Sequence, residues 1–137
     1  MKEVIIDTDI LSYYLKGDIQ VIKRFAQYLQ EHSQLNISII TQFEILSGLE
    51  YKKASKQIEK FNDFLLNCNL PTLSDKSIRL SCKIFGSLRR KGISIGTSDI
   101  LIAGQALEHD WVLISNNEKH FSHIEGLETA NWKKEYT

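Results

Sequence analysis

Two short aliphatic runs, EVIID at residues 3–7 and WVLIS at 111–115, show no polar alternation. Continuous apolar runs of this length read as strands buried on both faces, the mark of a parallel sheet. NISII at 36–40 reads as another such strand, Leu70 to Leu73 as a short one, and ETANW at 128–132 as a last edge strand. Between them lie segments of helical spacing. DILSYYLK, residues 9–16, is stopped by Gly17. Ile22, Phe25, Ala26 and Leu29 mark a helix over 19–30, and Thr41 opens TQFEILSGL. Ile58, Phe61 and Leu65 mark 55–67. Ile78, Cys82, Phe85 and Leu88 mark 75–91, ended by Gly92, and Ile100, Ala103, Gly104 and Leu107 mark 97–109. Strands alternating with helices predict an α/β fold, a parallel sheet with helices on both faces.

A chain of 137 residues, 42% apolar and 25% charged, has globular composition and room for a real core. With one proline, Pro71, and no Gly/Ser-rich linker or repeat, residues 1–137 read as one domain. Lys plus Arg and Asp plus Glu number 17 each, so the net charge is zero. That excludes a grip on nucleic acid by overall charge; such a role must rest on a local basic patch or on metal ions. Cys68 and Cys82 lack metal-binding spacing and read as reduced thiols on helices of a cytosolic protein. No apolar run approaches the roughly 20 residues of a membrane span. The strand-like start at Glu3 is expected to leave no room for a targeting segment.

Sites in such sheets form outside the carboxyl ends of the strands. The first strand ends in Asp7-Thr8-Asp9, the second is followed by Thr41 and Glu44, SIGTSD puts Asp99 in the first turn of its helix, and WVLIS ends in Ser115-Asn116-Asn117-Glu118. Each cluster also has a plain structural reading. Thr41 to Glu44 and Ser115 to Glu118 both fit the capping box S/T-x-x-E. Asp9 fits an N-cap, and Asp99 a first-turn acid favoured by the helix dipole. Asp7 differs, because it follows Val4-Ile5-Ile6 directly and its carboxylate starts near the core. A buried carboxylate needs a partner or a metal. Together the acids point to a hard-cation site for Mg²⁺ or Mn²⁺, which take oxygen ligands and activate water against a phosphodiester.

The chain resembles the PIN-domain ribonucleases, and within them the VapC-like toxins of bacterial toxin–antitoxin pairs. The resemblance is carried by VIIDTDIL, ITQFEILSGL, IGTSDILIAGQAL and VLISNNEKHF, in that order over nearly the whole chain. It implies a PIN-like three-layer α/β/α fold with a four- or five-stranded parallel sheet, and a Mg²⁺- or Mn²⁺-dependent endoribonuclease. Asp7, Glu44 and Asp99 match the family's first three acids, the implied metal ligands. The fourth acidic position falls on Asn117, implied to position metal-bound water. Glu118, one residue on, is the alternative occupant of that position. Thr8 and Ser115 match small hydroxyl positions beside the acids. The resemblance further implies a cognate antitoxin protein seated across a groove, an RNA substrate with transfer RNA among the candidates, and a homodimer or a higher complex with the antitoxin. Phe- and Leu-rich residues 43–65 agree with extra apolar surface.

Other residues carry weaker readings. Lys52, Lys53 and Lys56, and the run Arg89-Arg90-Lys91, are either solvated surface or contacts to RNA phosphates. His120 and His123 read as surface histidines; Trp111 and Trp132 read as rings able to stack on bases, with core the stronger reading for Trp111 because it begins a buried strand. Three rival functions remain beside the nuclease. A phosphatase would use Asp7 as nucleophile and Asp9 as acid/base, but Ile10 and Leu11 stand where small residues are expected. A phospho-acceptor receiver module would want an Asp ending a central strand and a lysine ending the last one, and neither is evident. A catalytically silent PIN-like binding protein is compatible with the neutral Asn117.

Overall fold

The computed structural model describes residues 1–134. β1 (Val4–Ile6), β2 (Asn36–Ile37), β3 (Val112–Ile114) and β4 (Thr129–Ala130) form a sheet in the order β2-β1-β3-β4, with every neighbouring pair parallel. The helices are α1 (Thr8–Leu15), α2 (Ile19–Tyr28), α3 (Ile39–Tyr51), α4 (Ser55–Leu65), α5 (Asp75–Arg90), α6 (Thr97–His109) and α7 (Glu118–Phe121).

Strand periodicity divides the aliphatic residues between two cores. Val4, Ile6, Val112 and Ile114 pack on one side with Val21, Phe25, Tyr28 and Phe61. Ile5 and Leu113 pack on the other with Ile102, Ala103, Ala106 and Phe121. Both central strands are buried along their whole length, which is why their sequences run apolar without alternation. The result is the expected three-layer α/β/α arrangement, with four strands among the described residues.

α5 and α6 pack closely. A Cβ on Gly104 would lie 2.0 Å from Ser81 Oγ and 2.7 Å from the Ser77 carbonyl oxygen. No helix among the described residues is long and apolar enough to cross a membrane.

Several local expectations are corrected. The strand at 36–40 stops at Ile37, because Ser38 caps α3 by accepting the Ile40 N–H at 3.0 Å and donates to the buried Gln105 side chain. Thr41 therefore lies inside α3, and no Thr41–Glu44 capping box forms. Residues 70–73 form no strand; pairing there is a single bridge between Asn36 and Asn69, and Gln105 Nε2 holds the Pro71 carbonyl at 3.0 Å. Cys68 follows α4 rather than lying on a helix, and burial pushes its thiol up to about 11. Both cysteines are free. Trp132 is core, edge-on to Phe25 at 5.7 Å between centroids. Trp111 is only half-buried, precedes β3, and stacks on His109 at 4.1 Å.

Connections leave β1 to β2 on one side, while β3 lies on the other. The carboxyl ends of β1 and β3 thus flank the switch point where such sheets open a crevice.

Candidate active site

The site is built from the first residues beyond β1 and β3. The backbone continues the sheet for one more bond, Asp7 N–H to the Ile114 carbonyl at 2.8 Å. Asp7 then becomes the N-cap of α1, its Oδ1 accepting the Thr8 N–H at 2.9 Å. Its Oδ2 accepts the hydroxyl of the fully buried Ser115 at 2.8 Å. Ser115 Oγ in turn accepts the Asn117 N–H at 2.9 Å. Ser115 is thus committed to Asp7 and Asn117, and the expected Ser115–Glu118 capping box does not form.

Asp9 does not cap α1, since Asp7 holds that position. It sits in the first turn, where Oδ1 accepts the Ile10 N–H at 2.7 Å and Oδ2 the Asn116 N–H at 3.1 Å. Asp9 thereby ties α1 to the loop after β3, and its charge raises the pKa of Asp7.

From α3, Glu44 reaches α1. Thr8 Oγ1 lies 2.6 Å from Glu44 Oε1 and 3.0 Å from Thr41 Oγ1. An ionised carboxylate can only accept, so Thr8 donates to Glu44 and Thr41 donates to Thr8. Thr41 and Glu44 are three residues apart on one helix, hence on one face. Asp99, in the first turn of α6, lies with Oδ2 3.1 Å from His120 Nε2 of α7.

The electrostatics follow from burial and crowding. Asp7 is pushed up to about 7, first by burial and then by the charge of Asp9, with Asp99 adding to it. The Ser115 and Thr8 hydrogen bonds oppose that rise. Asp9 is raised too, by burial first, with the Asp99 charge contributing. Among the described residues, no lysine or arginine forms an ion pair with Asp7, Asp9 or Glu44.

Asp7, Thr8 and Ser115 are in direct contact, Glu44 is joined through Thr8, and Asp99 couples to Asp7 through its charge. Asn117 is exposed; its backbone, not its side chain, makes the bond to Ser115. Glu118 turns to Lys134, 3.2 Å away. Two residues given other roles by the sequence belong to the cluster, Asp9 and His120. Asp9 follows Asp7 by two residues on a new helix, and His120 lies in α7, the first helix after β3; extending the strand-end rule through the first turn of the following helix finds both. His123 stays exposed.

Among the described residues, no three acidic, histidine or cysteine side chains converge closely enough to hold a metal ion by themselves. The donor chemistry nevertheless fits a hard cation. The donors are carboxylate oxygens, and the most buried of them has no cationic side chain beside it. Mg²⁺ commonly takes one or two carboxylates and leaves its other positions to water and phosphate oxygens.

Comparison with known proteins agrees with this architecture. Ribonuclease VapC2 of Haemophilus influenzae is 29% identical over 134 residues, covering 96% of this chain and 99% of the relative. The tRNA(fMet)-specific endonuclease VapC of Shigella flexneri is 22% identical over 133 residues, covering 96% and 99%. The crystal structure of VapBC2 from Rickettsia felis, bound to a DNA fragment from their promoter, superposes with a TM-score of 0.86 at 27% identity, over 94% of this chain and 98% of that one. The PIN domain family model matches residues 4–127, and the chain therefore belongs to the PIN-domain family.

Proposed function

We propose that this protein is an endoribonuclease, the toxin of a toxin–antitoxin pair, which hydrolyses RNA phosphodiester bonds with Mg²⁺ or Mn²⁺. The observation that carries the reading is the buried Asp7 carboxylate, crowded by Asp9 and Asp99 at the switch point of a PIN-domain sheet. Crowded acids repel one another unless a cation compensates them. The nuclease names of the relatives supply the substrate class, and the Shigella enzyme's name makes transfer RNA the first RNA to try.

Asp7, Glu44 and Asp99 are assigned to the cation, and Asp9 joins them. When bound, the cation polarises the phosphate and lowers the pKa of water. The chain's own residues hold the ligands in place. Ser115 and the Thr8 N–H fix both oxygens of Asp7, Thr8 fixes Glu44, and His120 fixes Asp99. Asn117, at the exposed mouth, is assigned to orient water. Both Asp7 oxygens already accept hydrogen bonds, which suits a fixed ligand better than the free nucleophile of a phosphatase.

The VapBC complex supports an antitoxin as partner. A homodimer is supported by α3, where Phe43 is 70% and Tyr51 89% exposed. The place of action is the cytoplasm, where RNA and reduced thiols are found together. A silent PIN-like binding protein is the second reading, favoured by the neutral Asn117 at the position where the family resemblance implies a fourth acid.

The test is incubation of total RNA, transfer RNA and single-stranded DNA with the protein in Mg²⁺, in Mn²⁺ and in EDTA, with Asp99→Ala as control. Discrete RNA cleavage by the wild type with metal alone, absent in the variant, is expected. Identical behaviour of the two proteins would move the binding reading to the front.

A further inference from the structure

A cavity of about 360 Å³ opens between α1, α3 and α4. Thr8 and Glu44 form part of its wall, so it is continuous with the acidic cluster. Its floor is apolar, from Ile45, Leu49 and Phe61, while Ser12 and Gln57 add hydrogen-bonding groups. Three lysines from three elements, Lys16, Lys52 and Lys60, surround it. None of them forms an ion pair among the described residues.

A second observation concerns Gly48, which also lines the cavity. It lies in the interior of α3, where glycine is among the poorest helix formers. Its backbone does not require glycine, since it is absent from the positive-φ residues, and a Cβ there would meet nothing within 4 Å. Gly104 has a packing reason to lack a side chain; Gly48 has none among the described residues. The missing side chain leaves the α3 backbone open to whatever enters the cavity.

We propose that this cavity is the subsite for the nucleotide next to the scissile phosphate. Lys16, Lys52 and Lys60 hold flanking phosphates, and the open face of Gly48 admits the nucleoside. The inference rests on the ribonuclease reading and deepens it. RNA is the occupant that matches the charges. A strand leaving the acidic cluster carries a negative phosphate at every step, and among the described residues Lys16, Lys52 and Lys60 form no ion pair with an acid. The side chains of Ser12 and Gln57 suit the edge of a base, and the apolar floor suits its face.

The experiment measures binding of a short fluorescein-labelled, mixed-sequence RNA by anisotropy in EDTA, over a range of salt. The proteins are the wild type, Lys52→Ala/Lys60→Ala, Gly48→Leu and Gly48→Ala. The double variant is expected to bind about ten-fold more weakly at low salt, and its log–log salt dependence to be shallower by about 1.4, at roughly 0.7 per phosphate contact on a single strand. Gly48→Leu is expected to bind about ten-fold more weakly, the order of one nucleotide's contacts, with the salt slope unchanged. Gly48→Ala should retain binding, and both glycine variants should melt at or above the wild-type temperature, so that a loss of affinity is not unfolding. If the variants bind like the wild type while the wild type still cuts RNA with metal, the subsite is wrong and the cavity belongs to a protein segment. If the wild type neither binds nor cuts RNA, the ribonuclease reading fails and the subsite with it.

Discussion

Ser115 Oγ donates to Asp7 Oδ2 at 2.8 Å, a side-chain bond that adds to the backbone pairing of Asp7 with Ile114 where two adjacent parallel strands end. The same oxygen accepts the Asn117 N–H. Ser115→Ala removes a donor from a buried carboxylate and an acceptor from a backbone N–H. Hydrogen bonds to charged groups contribute about 1.5–3 kcal/mol, so a loss of that order is expected. Urea unfolding in EDTA at pH 8 measures it; an unchanged midpoint would show that this bond does not support the cluster.

The raised pKa of Asp7 makes stability pH-dependent. Its folded value is about 7 against an ordinary 3.8. A carboxyl group raised in the folded state favours the fold while protonated, and that contribution is lost as pH rises through the folded value. Metal-free protein should therefore lose stability between about pH 4 and pH 7, with a slope of at most roughly 1.4 kcal/mol per pH unit from this group. Asp9, raised in the same direction, adds to the trend. Asp7→Asn keeps a good N-cap and should flatten the profile. A profile as steep in the variant as in the wild type would contradict the assignment.

Asp99 raises the pKa of both Asp7 and Asp9. Asp99→Asn should relieve that repulsion and raise the melting temperature in metal-free buffer, by about 2–4 °C if the gain is near 1 kcal/mol. His120 keeps a hydrogen-bonding neighbour in this variant. Saturating Mn²⁺ should reverse the order, because the wild type gains stability by binding the ion and the variant gains less. A lower melting temperature in EDTA would count against a repulsive acidic cluster.

Thr8 is the link that aims Glu44. Thr8→Val keeps the shape and removes the donor 2.6 Å from Glu44 Oε1. Residues that orient metal ligands typically change affinity by about 10–100-fold when replaced. Mn²⁺ affinity, read from the metal-dependent rise in melting temperature, should fall about ten-fold, with a smaller loss of stability of about 1 kcal/mol. Wild-type Mn²⁺ affinity in Thr8→Val would remove Thr8 from the site and leave it a packing residue.

Period and adjacency along the chain specify the layer architecture and the strand ends at which chemistry gathers. EVIID and WVLIS had to be buried on both faces because neither alternates, and helices had to cover them. Asp7 was legible because three aliphatic residues run into it, and Asp99 and Glu44 because their helices follow strand ends. These are local properties of period and adjacency, which one chain displays without knowing its neighbours. Which polar residue meets which depends on long-range packing. Thr41 to Glu44 looked like a capping box until Ser38, bonded to Gln105 from α6, took the cap and moved the helix start. Asp9 looked like the cap of α1 until Asp7, held by Ser115 across the sheet, occupied that position and left Asp9 to the Asn116 N–H. His120 read as surface until α7 brought it against Asp99. In each case several partners are compatible with the local pattern, and long-range packing chooses the one whose distance closes. A hydrogen bond or a charge pair depends on separations of a few ångströms, which adjacency in sequence does not set.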